Sequence, residues 1–203
     1  GIVHTNKGDY EKALDYYGSS LVIQEELGDK AGMGINLENI GFLYVNKGDY
    51  DKALDCYGRS LAIQGELDDK QGIGRNLRNI GIMHADKGDY NKAVEYLEKS
   101  LAIQKEIGFK ELELETTTYL YLSYKYLGKN YDLNEIHSLI KEAENIEFEL
   151  NYPLYELIEN KSYLETAYNQ VQGKVSAMEE NLAKKFLSYP IPKAIVEAWE
   201  KVK

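Results

Sequence analysis

Apolar residues recur along this chain at helical spacing, in runs of about 17 residues. Leu37, Ile40 and Tyr44 follow i, i+3, i+7, and Tyr50, Ala53, Leu54, Tyr57 and Leu61 mark one face of the next run. Polar residues fill the positions between, as on a helix with one buried stripe. A two-residue signal separates the runs. Gly8-Asp9, Gly28-Asp29 and Gly48-Asp49 recur about every twenty residues. Glycine adopts the left-handed conformation that ends a helix, and aspartate accepts a hydrogen bond from the free amides that begin the next. Each pair predicts a helix stop and a helix start, bounding helices of roughly 25 Å at ~1.5 Å per residue. The joint at Asp68-Asp69 keeps the start signal and lacks the glycine.

Helices so bounded fall into pairs, because the sequence repeats at a period of forty. Lys-Gly-Asp-Tyr stands at 7–10, 47–50 and 87–90, and Ser60-Leu61-Ala62-Ile63-Gln64 returns as Ser100-Leu101-Ala102-Ile103-Gln104. A fixed period of this size predicts stacked helix pairs rather than one globular core. The helix before each Lys-Gly-Asp-Tyr is termed A and the one after it B. Gly41 and Gly81 sit inside A helices, where glycine costs up to about 1 kcal/mol against alanine. A recurrent cost at one slot predicts close approach of another backbone, with the small Ala53 and Ala93 as the expected contact surfaces.

The period weakens toward the C-terminus. A fourth A helix is expected over 110–127, with Tyr121 in the glycine slot, where it should push the helices apart and change the curvature. A longer turn at 128–133 follows, and Ile136, Leu139, Ile140, Ala143 and Ile146 mark the fourth B helix. Beyond Pro153 the repeat is lost. Residues 154–177 remain helical in composition, Gly173 and Ser176 suggest a break or cap, and a helix is expected over 178–187. A last one, over 193–202, carries Ile195, Trp199 and Val202 on one face. The expected organisation is all-α: a repeat array over 1–150 (a partial first repeat, two full ones, a divergent fourth), and C-terminal helices over 151–203 that cap it. The alignment of Gly1-Ile2-Val3-His4 with Gly41-Phe42-Leu43-Tyr44 makes the chain open in mid-repeat, as a piece of a longer protein would.

These repeats resemble the tetratricopeptide repeat. Leu37, Ile40, Gly41, Tyr44, Gly48, Tyr50, Ala53 and Tyr57 match its slots, and so do Leu77, Ile80, Gly81, Gly88, Tyr90 and Ala93. The forty-residue length is similar to that of Pins-type spindle-orientation adaptors and, less closely, kinesin light chains. The stretch from Leu164 to Pro192 is similar to the tail that closes repeat regions in large bacterial signalling proteins. The resemblance implies a right-handed superhelical solenoid of antiparallel helix pairs whose A helices line a concave, peptide-binding groove. Asn39 and Asn79 occupy the slot whose asparagine bonds ligand backbone in the family. Phe42, Ile82 and Leu122 should face the same groove, with Asn46 and Asp86 a turn further and Tyr119 in the asparagine slot of the fourth A helix. Arg75 and Arg78 share a helix face, and Arg75 matches a carboxylate-clamp position of the chaperone-adaptor branch. Asn79 and Ile2 depart from that clamp, and Glu38 and Glu115 lie near enough to offset the two arginines.

Composition narrows the partner. Thirty-four acidic against 24 basic residues give a net charge of −10, which disfavours nucleic acid and anionic membranes, since phosphate binding needs a basic face. No run of about 18 apolar residues suggests a membrane span. The single Cys56 stands where Tyr16 and Tyr96 stand in neighbouring repeats, a packing slot, and suggests a reducing cytoplasm. His4 and His84 share a slot with Tyr44 and Tyr124 and read as packing residues. No metal-ligand spacing, cofactor motif or nucleophile–base set is present; Gly32-Met33-Gly34 and Gly72-Ile73-Gly74 lack the strand and lysine of a phosphate loop. The sequence therefore predicts a non-catalytic scaffold without cofactor or metal, binding a protein or peptide, with the parent chain itself as one source. The alternative is a regulatory module that self-associates through its uncapped N-terminal end, where Ile2 and Val3 lie.

Overall fold

A computed structural model describes His4, Thr5 and residues 9–203. Among these residues there are eleven α-helices and no strand. The regular array comprises α1 (Tyr10–Leu27), α2 (Lys30–Lys47), α3 (Tyr50–Glu66), α4 (Lys70–Asp86) and α5 (Tyr90–Ile107). The divergent unit is a 3-10 turn (Lys110–Leu112), α6 (Glu113–Tyr126) and α7 (Leu133–Glu142). The C-terminal segment forms α8 (Phe148–Ile158), α9 (Lys161–Ser176), α10 (Glu180–Leu187) and α11 (Pro190–Val202). Lys7 and Gly8 of the first joint, and Ile2 and Val3, lie outside the described residues.

The Gly-Asp joints work as their chemistry dictates. Gly28 and Gly48 take φ of 68° and 78°, and the Asp29 carboxylate accepts from the Gly32 amide at 3.0 Å. Asp49 caps no amide and instead pairs with Lys52 at 2.7 Å. At the joint without glycine, Asp68 itself adopts the left-handed conformation, φ 53°. Phe109 stands where the fourth repeat needs its capping aspartate. With no acceptor for the free amides, the first turn of that unit tightens into the 3-10 form.

A polar ladder, also of period forty, staples each A helix to its neighbours. Asn36 Nδ2 donates to Ser20 Oγ at 2.8 Å, and Asn76 Nδ2 to Ser60 Oγ at 3.0 Å and to Gln64. Ser60 and Ser100 donate to the carbonyls of Gly34 and Gly74, each at 2.7 Å. Outside, Lys30–Glu66 and Lys70–Glu106 pair at 2.6 Å. Gly34 and Gly74 are thus packing glycines, each against an isoleucine of the following helix, Ile63 or Ile103.

Several boundaries and contacts differ from expectation. The nearest neighbours of the glycine slots are not Ala53 and Ala93: a methyl at Gly41 would lie 2.7 Å from the Tyr57 ring, and one at Gly81 2.6 Å from Leu97 Cγ. The close approach comes one turn later on the B helix, while the two alanines are buried. Helix α7 stops at Glu142, because Ala143 turns extended, so Ile146 lies outside it. Pro153 does not begin a new segment; it sits inside α8, which straddles the 150/151 boundary. Its ring nitrogen cannot donate to the Glu149 carbonyl, and the Tyr119 hydroxyl approaches that carbonyl at 3.5 Å instead. Gly173 lies within α9 with open space around it, and the helix ends at Ser176, whose Oγ donates to the Gly173 carbonyl at 2.8 Å. The last helix starts at Pro190, whose fixed φ suits a first helical position.

The C-terminal helices do more than close the array. α8 covers its end, joining Leu122 and Ile136 to Leu154 and Leu157 in one core. α9, α10 and α11 then run back across the molecule. Leu164, Ala167, Val171, Phe186, Tyr189 and Ile195 share a core with Tyr10, Ala13 and Tyr17 of α1 and Ile40 and Leu43 of α2. Tyr10 stacks on Tyr189 at 4.8 Å, and Lys185 pairs with Glu11 at 3.0 Å. Part of the α1 face expected to be uncovered is therefore filled by the chain itself.

Candidate functional site

The A-helix stripe and the returning segment face one another across a cleft. Its array wall comes from Val45, Tyr50, Ala85, Asp86 and Tyr90, extended by Tyr119, Leu122 and Tyr126 of α6. The opposite wall is α8, with Glu149, Tyr152, Pro153 and Glu156, and the start of α11, with Pro190, Ile191 and Ala194. The cleft holds about 230 Å³ and continues into a narrow pocket of about 50 Å³. The start of α11 sets one end: Pro190 Cγ lies 3.2 Å from where a Cβ on Gly48 would stand, a tight contact at a position whose φ of 78° already favours glycine.

Seven of the ten expected groove residues meet here: Phe42, Asn46, Arg78, Asn79, Ile82, Asp86 and Tyr119 line the narrow pocket. Leu122 joins them in the larger cleft. Asn39 and Arg75 line neither. Accessibility divides the set. Phe42 is 40% exposed, whereas Tyr119 and Leu122 are 4% and 5% exposed, with Leu122 in the core that α8 covers. Asn46 is buried and donates to the carbonyl of Phe42 in its own helix at 2.9 Å. Arg75 is bound to Glu38 at 3.3 Å, and Arg78 to Glu115 at 3.1 Å and to the Asn79 Oδ1 at 2.8 Å. The amide oxygen of Asn79 is thus committed, and its amide nitrogen is the polar end left for a ligand.

Charge in the cleft is one-sided. Asp86 keeps accessible area, yet that area opens on the cleft, where crowding protein atoms displace water. Protein atoms crowded around this otherwise exposed side chain push its carboxyl up to about 7, with Glu156 and Glu115 adding repulsion. Glu149 is likewise pushed up to about 7 by burial, against the opposing pull of its backbone hydrogen bond and Lys174. Burial also raises Glu156, while a hydrogen bond from Tyr152 and the charge of Lys125 restrain it. No lysine or arginine lines the larger cleft. Lys125 is spent on the Glu156 and Leu157 carbonyls and on Glu159.

The α8 and α11 wall went unanticipated. Glu149, Tyr152, Glu156 and Ile191 lie beyond the repeats, where no period singles them out. The only signal was composition, in the tyrosines and glutamates around Pro153. Elsewhere the packing slots hold: His84 is 7% exposed and stacks on Tyr96, as His4 stacks on Tyr16. Burial lowers the His84 pKa. Cys56 is buried and unpaired. The described residues hold no group of side chains arranged for a metal ion, and no helix long and apolar enough to cross a membrane.

The family model for the tetratricopeptide repeat matches residues 1–66 and 32–106, together more than half of the 203-residue chain. The chain belongs to the tetratricopeptide repeat family. Two solved structures share the fold, both of the nearly identical TPR-like repeats of a Podosopora anserina protein described as a kinesin light chain, one being a point variant. Each is 16% identical to this chain at a TM-score of 0.55. One alignment covers 98% of this chain and 92% of that one, the other 100% and 93%. Among curated proteins no relative matches. Tetratricopeptide repeats generally mediate protein–protein interaction and form a non-enzymatic scaffold.

Proposed function

We propose that this repeat array is a cytoplasmic, non-catalytic adaptor that takes a peptide segment of another protein along the cleft between its A helices and its C-terminal helices. The observation that carries this reading is where variation falls. Most ladder and joint positions repeat every forty residues, and Tyr50 and Tyr90 in the cleft repeat with them, whereas the slot one turn beyond the glycine varies: Asn46 becomes Asp86 and then Tyr126. A scaffold constant in its joints and variable along one face suits recognition rather than packing. Asn79 supports it by leaving its amide nitrogen free to meet a ligand carbonyl. Replacing Asn39 and Asn79 by alanine should weaken partner binding at least tenfold in a titration of the partner found by pull-down. Unchanged affinity would exclude the groove as the binding surface.

A second reading, self-association through the N-terminal end, draws on the first helix. Ile23 and Leu27 are 56% and 76% exposed, and Ile35 at the start of α2 is 53% exposed. In the next repeats the slot of Ile23 is filled by Ile63 and Ile103, which pack on Gly34 and Gly74. Light scattering over a range of concentrations tests this, and a strict monomer throughout excludes it.

A further inference from the structure

We infer that the partner segment presents a lysine or arginine side chain, which enters the cleft between Asp86 on the array wall and Glu149 and Glu156 on α8. The inference rests on the peptide-groove reading and names the chemistry of the occupant. Three observations support it together.

Charge partnering is the first. The arginines on the A helices are satisfied at home, Arg75 by Glu38 and Arg78 by Glu115. The Asp86 carboxylate, by contrast, makes no hydrogen bond or ion pair among the described residues; no lysine or arginine lines the larger cleft, and Arg78 in the narrow pocket beyond is paired with Glu115. Asp86 and Glu156, facing each other from the two walls, disfavour one another's ionisation although Lys125 partly offsets the charge of Glu156, and an incoming cation relieves that repulsion.

The aromatic lining is the second. Tyr90 and Tyr126 stack at 4.4 Å with their rings 9° from parallel, and Tyr152 faces them from α8 across the same cleft. Aromatic rings beside carboxylates favour guanidinium and ammonium groups. An acidic cluster on an open helix face would lack this; here tyrosines wall the carboxylates in.

Size and register are the third. A volume of about 230 Å³ falls below the ~300–1,000 Å³ of ordinary small-molecule sites and suits one long side chain reaching in from a segment outside. Asp86 is also no requirement of the scaffold. Its counterpart Asn46 closes on its own helix at 2.9 Å, a bond needing an amide donor that a carboxylate lacks. At the one repeat position that α8 faces with two glutamates, the array carries a carboxylate instead.

The test uses the whole chain and four fluorescein-labelled heptapeptide pools, random except for a central arginine, lysine, norleucine or glutamate, read by fluorescence polarisation. The arginine and lysine pools are expected to bind at least tenfold more tightly than the norleucine pool, and the glutamate pool more weakly. In the Asp86→Asn/Glu156→Gln double variant the preference of the basic pools over the norleucine pool should vanish, and melting by circular dichroism confirms that the variant folds. Equal binding by all pools, or a preference that survives the variant, overturns the inference. Displacement by free arginine amide at the concentration at which the arginine pool binds also overturns it, because the cleft is then a small-cation site. If all pools bind alike and Asn39→Ala with Asn79→Ala weakens them all, the groove reading stands and only the basic partner falls. Binding insensitive to both sets of substitutions, or no binding by any pool, removes both.

Discussion

Replacing Gly81 by alanine sets two known effects against each other at one position. Alanine favours the interior of α4 by up to about 1 kcal/mol over glycine, through backbone entropy alone. The new Cβ, however, would lie 2.6 Å from Leu97 Cγ, 2.9 Å from its Cδ2 and 3.2 Å from its backbone nitrogen. Carbon atoms pack best at roughly 3.5–4.0 Å, so α4 and α5 must separate by about 1 Å. Leu97 cannot swing aside, since it has no exposed surface and the obstruction includes its main chain. Overpacking of this kind costs about 1–3 kcal/mol. The net expectation is a loss of about 1–2 kcal/mol, or roughly 2–8 °C in melting midpoint for a chain of this length. Gly173→Ala is the matched control. It sits within α9 with nothing inside 4 Å of the added methyl, so it should gain up to about 1 kcal/mol. Thermal and urea melts followed by far-ultraviolet circular dichroism read both. If Gly81→Ala stabilises as Gly173→Ala does, the glycine slot is not a contact point between helices and the argument fails.

Asp68→Gly should stabilise the chain, by about 1 kcal/mol in a urea melt, because a non-glycine residue in the left-handed region costs roughly 1–2 kcal/mol; a loss of stability would show that the Asp68 side chain contributes more than its strain removes. The pH dependence follows from the cleft. Asp86 and Glu149 titrate from 3.8 and 4.5 in the open chain to about 7 when folded. Their contribution is therefore complete below the lower values and is lost as the pH rises through about 7. The melting midpoint should fall from about pH 4 to about pH 7 and level off above, and Asp86→Asn with Glu149→Gln should flatten that slope; an unchanged slope refutes the assignment.

The sequence displays its joints openly, because a glycine that must take positive φ and an aspartate that must cap an amide carry single, local reasons for being there. Helix ends through Ile107 follow from those two letters. The ladder of Asn36, Ser60 and Gln64 was written in the same period but stayed hidden. Asparagine, serine and glutamine on a helix have many uses, and only the neighbouring helix shows which one applies. Pro153 misled for a related reason: proline usually bounds a helix, but here the carbonyl it leaves free is approached by a tyrosine thirty-four residues earlier. The far wall of the cleft lay beyond reach altogether. Glu11 and Lys185 pair across 174 residues, and nothing periodic connects them. Register and the family resemblance put Asn46, Asp86 and Tyr119 on one face of the array, whereas the wall they meet belongs to helices that have no register.

Superhelical repeat arrays are springs, since each unit touches only its neighbours and small rotations at every joint add up to large changes in pitch. In this chain α9, α10 and α11 run from one end of the coil to the other and are clamped at both, by the core around Tyr10 and Ile195 and by the packing of α8 on α6. A spring tied end to end can neither stretch nor unwind by increments. Its pitch is held until a tie gives way, and then it is released in a single step. The core around Tyr189, with the Lys185–Glu11 pair beside it, is therefore the expected place for the coil to open first, whether a partner wider than the cleft enters or force is applied along the axis.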